Sequence, residues 1–89
     1  MENKISAVVS RGGRPDLAGA IALRRVTAPI LLIVGGADYE VIELNRQANA
    51  LLNCEKKLTL IPGATHLFEE PGTLQQAARS AADWFVQHL

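Results

Sequence analysis

The run Ile30-Leu31-Leu32-Ile33-Val34, framed by Pro29 and by Gly35-Gly36, constrains this fold more than any other stretch. Five apolar residues without polar alternation read as a strand buried on both faces. That is the mark of a parallel sheet covered by helices. Pro29 has no N–H to give to a ladder, so it belongs at the strand's first position. Gly35-Gly36-Ala37-Asp38 then ends the strand as a loop.

The flanking sequence supplies more strands and helices in alternation. Ile5 to Ser10 (ISAVVS) is a β-rich run stopped by Arg11-Gly12-Gly13. Asp16 to about Arg25 has Leu17, Ala20 and Ile21 at helical spacing, with Leu23 at the margin of that face. Asp16 suits the start of such a helix, and Arg24-Arg25 suit its end. Tyr39 to Asn53 predicts a second helix, with Val41, Leu44, Ala48, Leu51 and Leu52 on its apolar face. Leu58 to Ile61 is a third strand, ended by Pro62-Gly63. The loop Ala64 to Glu70 follows, then Pro71 at the first turn of a last helix. Leu74, Ala77, Ala78, Ala81, Phe85 and Leu89 share one face of that helix, with Trp84 beside it. Trp84 and Phe85 are expected in the core and His88 in solvent.

Strand, helix, strand, helix, strand, helix predicts a three-layer α/β module, a βαβαβα unit with a three-stranded parallel sheet and right-handed crossovers. Residues 1–89 form one domain on this reading. Three strands leave two sheet edges, and bare parallel edges are uncommon, which points to a partial fold or an oligomer.

The bulk properties exclude several partners. Lysine plus arginine equals aspartate plus glutamate, nine each, so no electrostatic case exists for nucleic acid or an anionic membrane. The longest apolar run falls far short of the roughly 20 residues of a membrane span. MENKISAVVSRGG has no extended apolar core of a secretory leader. A single cysteine, Cys54, allows no internal disulfide and fits a reducing, cytoplasmic setting.

In parallel sheets, functional side chains gather at the carboxyl ends of strands. Asp38 and His66 both follow such ends, 28 positions apart (66 minus 38) with one helix between them. Their strands should be neighbours. A carboxylate there accepts from one imidazole nitrogen and fixes the tautomer of a general base. Alone, an aspartate after Gly-Gly is commonly a turn former and a loop histidine commonly solvent-facing. Acid then base, each after a strand, favours the catalytic pair.

Other residues weigh less. Ser10 ends the first predicted strand on the same side of the sheet, but it has no sharp elbow and no oxyanion donors beside it. Cys54 lies near a helix C-terminus and before a strand, where nothing lowers a thiol pKa, so it reads as a small hydrophobe. Gly12-Gly13-Arg14 before a helix could hold an anion, but a flexible turn with a solvated arginine is the preferred reading. Asp38, His66, Glu69 and Glu70 lack metal-ligand spacing. No cofactor motif is present.

The segments VVSRGGRPDLA, APILLIVGGAD and LIPGATHLFEEPGTLQQAA…WF resemble the last part of α/β-hydrolases of the dienelactone-hydrolase type, from about Ala7 onward. That resemblance implies strand–acid–helix–strand–His–helix, with Asp38 on the acid position and His66 on the base position. PGATHLFEEPG is its most specific stretch. The family's nucleophile sits earlier in the chain order, on a G-x-S-x-G elbow, and no such motif occurs in these 89 residues.

The resemblance thus implies the acid- and base-bearing part of a serine-type ester or lactone hydrolase, a remnant or fragment with little turnover alone. The alternative is a non-catalytic interaction module that docks through its open edge. Two partners are expected for the edge strand Ile5 to Ser10: a second copy of the chain in a dimer, or the missing N-terminal hydrolase part.

Overall fold

A computed structural model of the chain describes residues 6–89. The elements run β1 (Val8–Arg11), a 3-10 turn (Pro15–Ala18), α1 (Ala20–Arg24), β2 (Ile30–Gly35), α2 (Tyr39–Leu51), β3 (Lys56–Ile61) and α3 (Thr73–Gln87). The strands form one parallel sheet in the order β1-β2-β3, with Ile30 opposite Val8 on one side and Lys56 on the other. This is the expected three-layer α/β architecture. Ile5 lies outside the described residues, and β1 extends to Arg11, so Ser10 is not its last residue.

Every residue of β2 is buried. Its pleat explains why the sequence shows no alternation. Leu31 and Ile33 point to the α3 side, where they meet Ile61, Ala64, Phe68, Ala77 and Trp84. Ile30 and Leu32 point to the α1–α2 side, where they meet Leu23, Ala48 and Leu52. Both faces are covered, so both need apolar side chains.

The helical segment expected over Asp16 to Arg25 divides at Gly19, whose φ of 87° lies outside the helical range. Once the phase is broken, the expected apolar face no longer points inward. Leu17 and Ile21 are 75% and 68% exposed, and Leu23 is the buried residue. Asp16 makes no cap. It accepts from Nε and Nη2 of Arg14, each at 2.9 Å, which lowers its carboxyl pKa and engages the arginine that would otherwise face an anion at Gly12-Gly13-Arg14.

α3 is also rotated from its expected face. Thr73, Ala77 and Trp84 are buried, whereas Leu74 and Phe85 are about half exposed and Leu89 is free. The indole of Trp84 donates to the Pro29 carbonyl at 3.4 Å, which ties this side of α3 to the entrance of β2. His88 does not face solvent. Its ring lies against Trp84 at 4.3 Å, with Nε2 3.2 Å from Glu55.

α2 ends at Leu51, short of Asn53, and β3 begins at Lys56 rather than Leu58. Lys56 explains both limits: its ammonium donates to the carbonyls of Asn49 and Leu52, capping the helix end. Of the expected α2 face, Ala48 and Leu52 are fully buried, together with Ile42 and the polar Asn45.

Asn45 donates to the Gly13 carbonyl at 3.1 Å and to Val41 at 2.9 Å, so it pins the loop after β1 onto α2. Asn45→Ala leaves the Gly13 carbonyl unpartnered. It is expected to lower unfolding stability by about 1–3 kcal/mol in urea titrations.

Candidate functional site

Two loops meet at the carboxyl ends of β2 and β3, and backbone contacts lace them together. Gly36 N–H donates to Ile61 at 2.8 Å, and Ala37 N–H to Ala64 at 2.9 Å. The second loop crosses directly over Gly35. A Cβ there would lie 2.8 Å from the Ala64 carbonyl carbon and 2.8 Å from the Thr65 oxygen, closer still to the Ala64 oxygen. Only glycine permits that approach.

This lacing brings Asp38 and His66 together. Asp38 opens α2 at the N-cap position, yet its side chain makes no cap hydrogen bond. Its Oδ2 lies 3.2 Å from His66 Nδ1 instead. That oxygen is buried and has no other partner among the described residues. The imidazole is close to this oxygen but not aligned for a full hydrogen bond. An orphaned buried acceptor facing Nδ1 favours the tautomer with its proton on Nδ1, which leaves Nε2 free as a base. The carboxylate is mostly covered and the imidazole is 55% exposed.

The remaining features were not evident from residue spacing. Gly12, at the exit of β1, abuts His66 from the other side: a Cβ there would lie 3.3 Å from the His66 carbonyl and 3.7 Å from its Cε1. Phe68 is buried with φ 55°, an uncommon backbone state for a non-glycine residue, and Arg11 lies 5.3 Å over its ring. Glu70 accepts from Thr65, through its hydroxyl at 2.7 Å and its N–H at 2.9 Å. The side-chain bond and then the backbone bond hold the Glu70 carboxyl below its ordinary value of 4.5. Only the doubled Gly12-Gly13 and the E-E-P-G run hint at these roles in the sequence.

A depressed folded-state pKa means that the Glu70 bonds stabilise the loop above the ordinary glutamate range. They are lost as pH falls through the lowered value. Hydrogen-exchange protection of the Thr65 amide is therefore expected to hold from neutral pH to below 4.5 and then drop.

Other candidates fall outside the pair. Ser10 Oγ lies 2.5 Å from the Cβ position of Gly13, and no hydrogen bond joins it to His66 or Asp38 among the described residues. Cys54 is half-buried and packs on the cluster of Leu23, Ile30 and Leu52. Among the described residues, no three His, Cys, Asp or Glu side chains gather closely enough to hold a metal ion. No helix among them is long and apolar enough to cross a membrane.

No protein-family model matches the chain. Proteins from two strains of Mycobacterium tuberculosis, provisionally named phosphoribosyl transferases, are each 62% identical to it over 85 residues. The match takes in 96% of this chain and 19% of theirs, so the chain spans about a fifth of these curated relatives. A crystal structure of dienelactone hydrolase from Anabaena variabilis superposes with a TM-score of 0.90 at 57% identity, over 93% of this chain and 38% of that one. By sequence and by fold, the chain corresponds to the C-terminal portion of an α/β-hydrolase of the dienelactone-hydrolase type.

Proposed function

We propose that this chain supplies the acid and base of a serine-type ester or lactone hydrolase and acts with a nucleophile-bearing portion. The observation that carries this reading is the buried Asp38 Oδ2, at 3.2 Å from His66 Nδ1 and with no other partner among the described residues. In such a site His66 Nε2 takes the nucleophile's proton during attack and returns it to the leaving alkoxide. Asp38 holds the ring and stabilises the imidazolium.

The nucleophile-bearing portion has a surface to occupy. Beside the edge of β1, which pairs with no further strand among the described residues, Val9, Arg11 and Ile33 join Leu74, Ala78 and Phe85 of α3 around a hollow of about 350 Å³. The opposite edge is β3, where Lys56 and Lys57 are exposed, and charged residues blunt strand pairing. The asymmetry favours the β1 side as the docking face. A second copy of the chain is the competing occupant. Sedimentation analysis at high micromolar concentration tells them apart, because a stable monomer rules out the dimer. Leu74→Asp with Phe85→Asp is expected to weaken association with the hydrolase portion without lowering the melting temperature.

The transferase name of the mycobacterial relatives belongs to proteins about five times the length of the matched segment. Within that segment, the Asp38–His66 pair favours hydrolysis. The test is replacement. This chain is substituted for the matching 38% of the Anabaena variabilis hydrolase, and the hybrid is assayed on an activated aryl ester. Turnover that depends on His66 supports the reading, and a folded, inactive hybrid contradicts it.

A further inference from the structure

We infer that Glu70 is a positioning residue for His66, a role that rests on the acid–base reading above. The loop from Ala64 to Glu70 is fixed at both ends. Ala64 is held by Ala37, and the Glu70 carbonyl accepts from Thr73 N–H at 3.1 Å and Thr73 Oγ1 at 2.8 Å. The Glu70 side chain then reaches back across the loop and clasps Thr65, the residue immediately before His66, through two bonds. Inside the closed loop, Phe68 N–H donates to the Thr65 carbonyl at 3.1 Å, and the buried Phe68 ring anchors the far side.

His66 therefore sits on a ring of backbone closed by one carboxylate. Both Glu70 oxygens are engaged by Thr65, and no side chain caps the start of α3, so the carboxylate serves the loop rather than the helix. Without the clasp, residues 65–67 lose the constraint that aims the imidazole at Asp38, because the other hydrogen bonds that tie this loop among the described residues are main-chain bonds at Ala64 and Phe68 and those that fix Glu70 itself to Thr73.

The test reads the His66 tautomer by long-range proton–nitrogen NMR of the neutral ring in this chain. The native protein is expected to hold its proton on Nδ1. Glu70→Ala is expected to shift the tautomer ratio toward the Nε2–H form by about tenfold, the scale of one hydrogen bond to a charged group. Glu70→Gln restores the native ratio, because its oxygen accepts from Thr65 N–H and its amide donates to Thr65 Oγ1. Thr65→Val, a milder change that keeps the N–H bond, shifts the ratio partway, and Thr65→Ser leaves it native.

A lowered melting temperature with an unchanged tautomer in Glu70→Ala overturns the inference and leaves the acid–base reading standing. Failure of Glu70→Gln to restore the ratio also overturns it, in favour of charge alone. An Nε2–H ring in the native protein, unmoved by Asp38→Asn, overturns the pairing itself and the inference with it.

Discussion

Gly35→Ala is expected to destroy the candidate site and to destabilise the chain by about 3 kcal/mol, the upper range of overpacking costs. The added methyl would enter the main chain of Ala64 and Thr65, with the Ala64 carbonyl carbon and the Thr65 oxygen each at 2.8 Å. Backbone cannot rotate aside as a long side chain can, so one of the two loops must move. Gly35 closes β2 three residues before Asp38, and Ala64 lies two residues before His66. Any displacement separates the carboxylate from the imidazole. Circular dichroism melts report the stability loss, and NMR reports whether Asp38 still biases the His66 ring. Gly63→Ala is a useful contrast, since a Cβ there meets nothing within 4 Å. It carries only the strain of its positive φ of 73°. Native stability and an intact pair in Gly35→Ala would show that the loops are not held by this approach.

Asp38→Asn is expected to lower turnover of the hybrid hydrolase about ten-thousand-fold, the cost of placing the proton on the wrong imidazole nitrogen. The amide is close in size to the carboxylate, so the fold should survive. In the native site the buried Oδ2 faces His66 Nδ1 and has no hydrogen-bond partner among the described residues. An amide nitrogen in its place would donate to Nδ1, force the Nε2–H form and remove the base. On the proposed reading, affinity for the ester should change far less than the maximal rate, because Asp38 would act through His66. A loss confined to the Michaelis constant would assign Asp38 to binding instead. Steady-state kinetics with an activated aryl ester separates the two.

How much of this could be read in the sequence differs from element to element. β2 was legible because its unbroken apolar run has one physical explanation, burial on both faces. The meeting of Asp38 and His66 was legible because each follows the carboxyl end of a parallel strand and the two strands are neighbours. The helix over Asp16 to Arg25 was not, because its break depends on one backbone angle at Gly19. The rotation of α3 was hidden as well. Its periodicity allows two neighbouring faces, and a contact between Trp84 and Pro29, 55 residues apart, accompanies the choice. Part of the face taken for core, Leu74 and Phe85, borders the β1 edge instead. Apolar character there marks a surface for a partner as readily as an interior. Glu70 and Gly35 act through loop closure and close backbone approach, and neither leaves a spacing pattern along the chain.

The most direct test sets two hydrolysis rates side by side: that of the isolated 89-residue chain and that of the hybrid carrying it, each with and without His66→Ala. The isolated chain should hydrolyse an activated aryl ester no faster than its own His66→Ala variant, and the hybrid should turn over rapidly and lose that activity on the same change. Robust, His66-dependent hydrolysis by the isolated chain would contradict this account and return Ser10 as a nucleophile.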